Sequence, residues 1–253
     1  MNISAVVQRN NVQVLGQKDG PALLLVQGFG CDQVIWDRIL PFFTDTYKVV
    51  LFDHVGTGEA APDAYDPVRY ASLDGYLEDL REILDVLDLR DATIVAHSIA
   101  GMMALGASVD NPRIGQLVLL CTSPCYLNHD GYDGGFQPED IDAVLEAVQA
   151  NYPLWAASMA PGITGSPAGS RLSAELAERI CQLNPEHVRD FLRMSFTSDV
   201  RELLVHVPVP TLILQTKADP LTPDSASRFM NQQLPLSTLT RLDVRGNMPH
   251  ISA

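Results

Sequence analysis

A serine, an aspartate and a histidine, each placed just past an apolar run, are the residues of this chain whose types and spacing could do chemistry. Ser98 sits in Thr93-Ile94-Val95-Ala96-His97-Ser98-Ile99-Ala100-Gly101, where a β-branched run gives way to a helix-like one. A serine at a strand-to-helix elbow is held on a strained turn with its hydroxyl exposed. That hydroxyl is a weak nucleophile until a base takes its proton. Asp219 follows the run from Thr211 to Gln215, and His250 follows the run from Ser237 to Leu242. Serine, then acid, then histidine is the chain order of one nucleophile–acid–base architecture. In it His250 would accept the serine proton and Asp219 would orient the imidazole.

Each residue has a plainer reading beside this one. Ser98 could cap the helix that follows it. Asp219 could be a turn aspartate before Pro220, with Asp224 and Asp243 as weaker candidates for the acid. His97 is too close to Ser98 to face its hydroxyl, and His54, His129, His187 and His206 all precede Asp219. The three positions taken together favour chemistry. Gln27-Gly28-Phe29-Gly30 ends the run from Ala22 to Val26. In this topology such a loop supplies one backbone N–H to a developing oxyanion, and the residue after the nucleophile supplies another. Those residues are Phe29 and Ile99. The helix start must pack closely on the strand end, so the neighbours of Ser98 must be small, as Ala96, Ala100 and Gly101 are.

The elements that position these loops alternate. Apolar runs at Ala22–Val26, Lys48–Phe52, Thr93–Ala96, Leu117–Cys121 and from Val209 read as strands. Apolar residues at 73, 76, 77, 80, 83, 84 and 87 make a helical stripe. A helix runs from about Gly101 to Val109 and stops at Asn111-Pro112. Thr222-Pro223-Asp224 starts another, with proline at its first position. Strands alternating with helices predict an α/β fold with a mostly parallel sheet covered on both faces. Val6-Val7 and Val12–Val14, with no helix between them, read as an antiparallel hairpin at one edge. From about Cys125 to Asp199 no strand is predicted. Four short helices are, over Pro138–Ala150, Tyr152–Met159, Ser173–Leu183 and Pro185–Phe196, with joints at Pro153, Pro161-Gly162, Pro167 and Pro185. The expectation is a single domain over 1–253, with core segments 1–124 and 200–253 and a helical cap at 125–199.

Bulk properties exclude several function classes. A chain of 253 residues with 46% apolar content can build one sizeable core. Its 17 basic and 31 acidic residues give a net charge of −14, which repels phosphate backbones and anionic lipid, so neither nucleic acid nor membrane is expected as a partner. The apolar runs are strand-sized, and the start of the chain lacks a basic region followed by an apolar one. Cys31, Cys121, Cys125 and Cys181 form no CxxC pair and no zinc pattern, and read as reduced thiols of a cytoplasmic protein. Gly56-Thr57-Gly58 lacks the third glycine of a dinucleotide loop, and no other cofactor or metal motif is present.

Longer runs carry a resemblance. Gly28-Phe29-Gly30-Cys31-Asp32-Gln33-Val34-Ile35-Trp36 and Leu51-Phe52-Asp53-His54-Val55-Gly56-Thr57-Gly58 are two of them. Ser123-Pro124-Cys125-Tyr126-Leu127-Asn128 with Gly134-Gly135-Phe136, Asn151-Tyr152 with Trp155, and Ser195-Phe196 with Ser198-Asp199 extend it. From about Val12 to His250 the chain resembles an α/β-hydrolase of the RsbQ type, the bacterial relatives of the plant strigolactone and karrikin receptors. The resemblance implies a Ser98–His250–Asp219 triad and a V-shaped cap of four helices over an apolar pocket. Matching positions imply that Phe29, His97, Ile99, Phe136, Trp155, Met159 and Phe196 line that pocket. It implies hydrolysis of a small apolar ester or lactone without a cofactor. It also implies a regulatory role in a stress sigma-factor pathway with a phosphatase partner. The alternative it carries is a ligand-gated receptor that hydrolyses slowly and acts through a protein contact. A cofactor-free haloperoxidase-like or C–C bond hydrolase would use the same triad. The chain departs from the family pattern at Ala96, where the family has glycine, and at Gln27, where it often has histidine or proline. The family continues past its catalytic histidine into a closing helix, whereas this sequence stops at Ala253, which predicts an uncovered sheet face and a frayed, exposed His250.

Overall fold

Runs too apolar to leave either face in water form the inner strands of a seven-stranded sheet. The computed structural model describes residues 3–252. In chain order the elements are α1 (Ile3–Arg9), β1 (Gln13–Gly16), β2 (Ala22–Val26), β3 (Lys48–Leu51), α2 (Leu73–Val86), β4 (Ala92–His97), α3 (Ala100–Ser108) and β5 (Ile114–Leu120). Then follow α4 (Pro138–Ala150), α5 (Tyr152–Thr164), α6 (Arg171–Gln182), α7 (Pro185–Thr197), β6 (Thr211–Ala218), α8 (Asp224–Gln233), β7 (Ser237–Arg245) and α9 (Pro249–Ser252). The strand order is β1-β3-β2-β4-β5-β6-β7, antiparallel at β1–β3 and parallel elsewhere. All five residues of β2 are buried, as a parallel strand covered on both faces requires. Helix α3 is buried along its whole length, so it has no polar face to show.

The N-terminal hairpin is not what forms. Ile3–Arg9 is a helix in which Val6 alone is buried, and only β1 joins the sheet, as an exposed antiparallel edge. A two-residue β-branched run is shorter than the three residues a strand usually needs. Helix α5 also runs past the predicted stop at Met159. Pro161 forfeits one backbone bond, but Ile163 and Thr164 are buried beyond it, and Gly165 ends the helix at φ 67°.

Helices α4 to α7 form a contiguous insert between β5 and β6, in which α4 packs on α7 and α5 on α6. Its two ends meet in an antiparallel bridge between Cys125 and Asp199. Val200 N–H donates to the Pro124 carbonyl at 2.9 Å just inside that bridge. The insert can therefore be entered and left at one point of the core.

Candidate active site

Strand register brings the loops together. Val26 pairs with Ala96 across β2 and β4, so Gly28-Phe29 leaves the sheet beside His97-Ser98. Ser98 takes φ 56°, the left-handed conformation that a side chain tolerates only under strain. Two glycines make the elbow possible. A methyl at Gly28 would lie 2.9 Å from the Ser98 Cβ, and one at Gly101 would lie 2.2 Å from the Thr122 hydroxyl. The Thr122 Oγ1–H in turn donates to the Ser98 carbonyl at 3.1 Å.

Ser98 opens into a narrow apolar cavity between the sheet and the insert. Phe29, Ile99, Trp155, Met159 and Phe196 line it, together with Tyr126, Val144, Ile163, Leu192, Ser195 and Leu221. No charged side chain is among them, so an uncharged apolar ligand is what this cavity can desolvate. No hydrogen bond within the described chain engages the backbone N–H of Phe29 or of Ile99. Two further residues expected in the lining are elsewhere. Phe136 is a layer behind, tilted against Phe196 at 5.1 Å and edge-on to Tyr126 at 6.4 Å. His97 turns away from the cavity, and its Nε2 meets both the carbonyl and the side-chain oxygen of Asn247 at 2.9 Å.

The expected proton path is not joined. The Ser98 hydroxyl meets the Tyr126 hydroxyl at 3.2 Å. Burial pushes the Tyr126 pKa up, so the phenol is neutral near pH 7 and is no base. Asp219 accepts the N–H groups of Leu221 and Thr222 at 2.9 and 3.1 Å on one oxygen. Its other oxygen accepts the amide of Asn247 at 2.8 Å and that of Gln215 at 3.4 Å. Burial raises the pKa of this carboxyl, and the four donors oppose the rise.

His250 takes part in none of this. Its ring stacks on Trp36 at 4.6 Å and stands edge-on to His97 at 4.7 Å, and neither ring nitrogen has a hydrogen-bond partner among the described residues. It is also buried, 8% exposed, rather than frayed. The reason is local. Ala218 pairs with Arg245, and Gly246 N–H donates to the Ala218 carbonyl at 2.9 Å, so Asp219 and Asn247 leave the sheet side by side. Helix α9 then carries residue 250 on and turns its ring inward. Sequence reasoning chose the sole histidine after Asp219. No sequence signal ranked Asn247 above it, because the end of β7 at Arg245, two residues before Asn247 and five before His250, is set by pairing with β6.

The described residues hold one cluster of metal-ligating types, Cys125, His129 and Asp199, at the base of the insert. The Asp199 carboxylate there is already held at both oxygens by Arg201, at 2.6 to 3.0 Å. All four thiols are unpaired, and burial pushes the pKa of Cys31 up to about 12, which leaves it inert. No helix among the described residues is long and apolar enough to cross a membrane.

Buried imidazoles set a pH dependence. Burial lowers the pKa of His97 to about 4, lowers that of His250 well below 6.5 with help from the charge of His97, and lowers that of His54. Below pH 6.5 the unfolded chain binds these protons and the folded chain does not, so stability falls as pH drops. Each such histidine removes up to about 1.4 kcal/mol per pH unit down to its folded pKa. Asp219, raised in the fold, has the opposite sign, since it loses stability as pH climbs from the carboxylate range. The urea midpoint is therefore expected to fall steeply from pH 7.5 to 5.5, above the range where carboxylates dominate. A flat profile would mean that these rings gain protons without unfolding.

The model of the alpha/beta hydrolase family matches residues 23–253. A strigolactone esterase of Pisum sativum is 38% identical over 246 residues, covering 96% of this chain and 91% of its own. A karrikin insensitive 2 receptor of Petunia hybrida is 35% identical over 250 residues, covering 98% and 92%. Among solved structures, a hydrolase from Oleispira antarctica superposes with a TM-score of 0.95 at 34% identity, over 100% of this chain and 93% of that one.

Proposed function

Because this chain belongs to the alpha/beta hydrolase family, we propose that it binds a small apolar ester or lactone under the helical insert and opens it slowly at Ser98. One observation carries the reading: a serine at φ 56° faces an uncharged cavity that Phe29 and Ile99 also line, and the backbone N–H groups of those two have no acceptor among the described residues. Ser98 Oγ bonds to the carbonyl carbon while the Phe29 and Ile99 N–H groups hold the oxygen as it becomes anionic. The ester C–O bond then breaks, the hydroxyl proton passes through water to the leaving oxygen, and a second water hydrolyses the acyl-serine. In a lactone the leaving oxygen stays tethered until that hydrolysis. Apolar walls select by size and shape, at about 1–3 kcal/mol per methylene.

Slow opening suits a protein whose output is a contact with a partner. Relatives named as receptors, similar over nearly the whole chain, support that reading. On it the ligand shifts the population of insert conformations, and a regulatory phosphatase is the partner class that the RsbQ resemblance suggests. The test sets turnover of p-nitrophenyl butyrate beside ligand-dependent pull-down. We expect turnover well under the common range of roughly 1–10³ s⁻¹. Turnover inside that range, with no ligand-dependent partner, would favour a metabolic esterase instead.

A further inference from the structure

We propose that Asn247 occupies the general-base position beside Asp219, so that Ser98 has no proton acceptor. This rests on the ester-binding reading above and gives its slowness a structural cause.

In a serine triad the base donates one ring N–H to the acid and reaches the serine with its other nitrogen. Asn247 already makes the first of these contacts, Nδ2 to Asp219 Oδ2 at 2.8 Å. An asparagine Nδ2 stands at the same bond distance from its Cβ as an imidazole Nδ1, and the amide simply ends there. It has no second nitrogen to send on toward Ser98. The amide orientation is fixed at both ends, because its nitrogen faces a carboxylate and its oxygen faces His97 Nε2. Asn247 is 1% exposed, and its own N–H donates to the Ile163 carbonyl at 2.7 Å, so the loop is anchored to helix α5 beside the cavity. No other base replaces it. Among the described residues the ring nitrogens of His250 make no hydrogen bond, and the one side-chain hydrogen-bond partner of the Ser98 hydroxyl is Tyr126.

An imidazole grown from the same Cβ would keep the bond to Asp219 and extend one ring further. It would take the Ser98 proton as Oγ bonds to the carbonyl carbon, then return it to the leaving oxygen as the C–O bond breaks. Asn247→His is therefore expected to raise kcat/KM for p-nitrophenyl butyrate by at least roughly 10²-fold. The variant should also acquire an acid limb in its pH profile that the unmodified protein lacks, and adding Ser98→Ala should remove the whole gain. Should the larger side chain prevent folding, Asn247→Gly with imidazole in the buffer is the second arm, and a rate that saturates with imidazole supports the proposal. Folded Asn247→His without the gain, or no imidazole response in the glycine variant, overturns it. So does an imidazole-type acid limb in the unmodified protein. Binding of N-(4-nitrophenyl)butanamide, the amide isostere of the ester, to the unmodified protein, read by calorimetry, separates the two claims. Absent binding sinks the ester-binding reading, whereas binding without the gain in Asn247→His sinks only the role given to Asn247.

Discussion

Ser98→Ala is expected to abolish covalent labelling by a serine-directed phosphonate while leaving the fold intact. Intact-mass spectra should show an adduct that accumulates slowly, as an unassisted hydroxyl requires, to at most one per chain before the substitution and none after. Position 98 is strained at φ 56° for any residue with a Cβ, so alanine adds no backbone penalty that serine did not already carry. The substitution removes one hydrogen bond, that to the Tyr126 hydroxyl, a neutral pair worth about 0.5–1.5 kcal/mol. Ester turnover should fall at least roughly tenfold. The drop is smaller than the ~10⁶ seen when a complete triad loses its serine, because the serine here is already unassisted. An adduct that persists at full stoichiometry on the alanine variant would place the nucleophile elsewhere.

Trp36→Ala should be the most damaging single change to stability. Trp36 is fully buried, and its ring stacks on His250 at 4.6 Å. Truncation leaves a cavity that the sheet and helix α9 cannot collapse to fill. The expected loss is about 3–5 kcal/mol, read from urea unfolding, with a melting point roughly 6–20 °C lower for a chain of this size. Trp36→Phe should recover most of it, since a ring can still stack. A loss below about 1 kcal/mol would show that the pocket closes, and that His250 is held by something other than this face.

How much of this was legible beforehand differs from element to element. Parallel strands declare themselves because burial on both faces demands unbroken apolar runs such as Ala22–Val26. Helix α4 was readable to its ends because Pro138 starts it and Asn151-Tyr152-Pro153 stops it. The elbow was readable because a serine between small residues at a strand end satisfies few other geometries. Where a single contact decides, the sequence was silent. Val6-Val7 has the composition of a strand, yet it lies in helix α1, where Val6 is the one buried residue.

The Ser98 elbow, the Asp219 loop and the apolar character of the cavity are properties of composition and order along the chain. They follow from which residues water rejects and which turns a backbone can make. The partner of Asp219 is a property of register, set where Ala218 pairs with Arg245 and throws the next loop residues together. Sequence separation cannot rank Asn247 against His250, because three residues are less than one helical turn and the turn can face either way. Only the packed structure, with the ring of His250 pressed on Trp36 and the amide of Asn247 on the carboxylate, decides which of them stands at the acid.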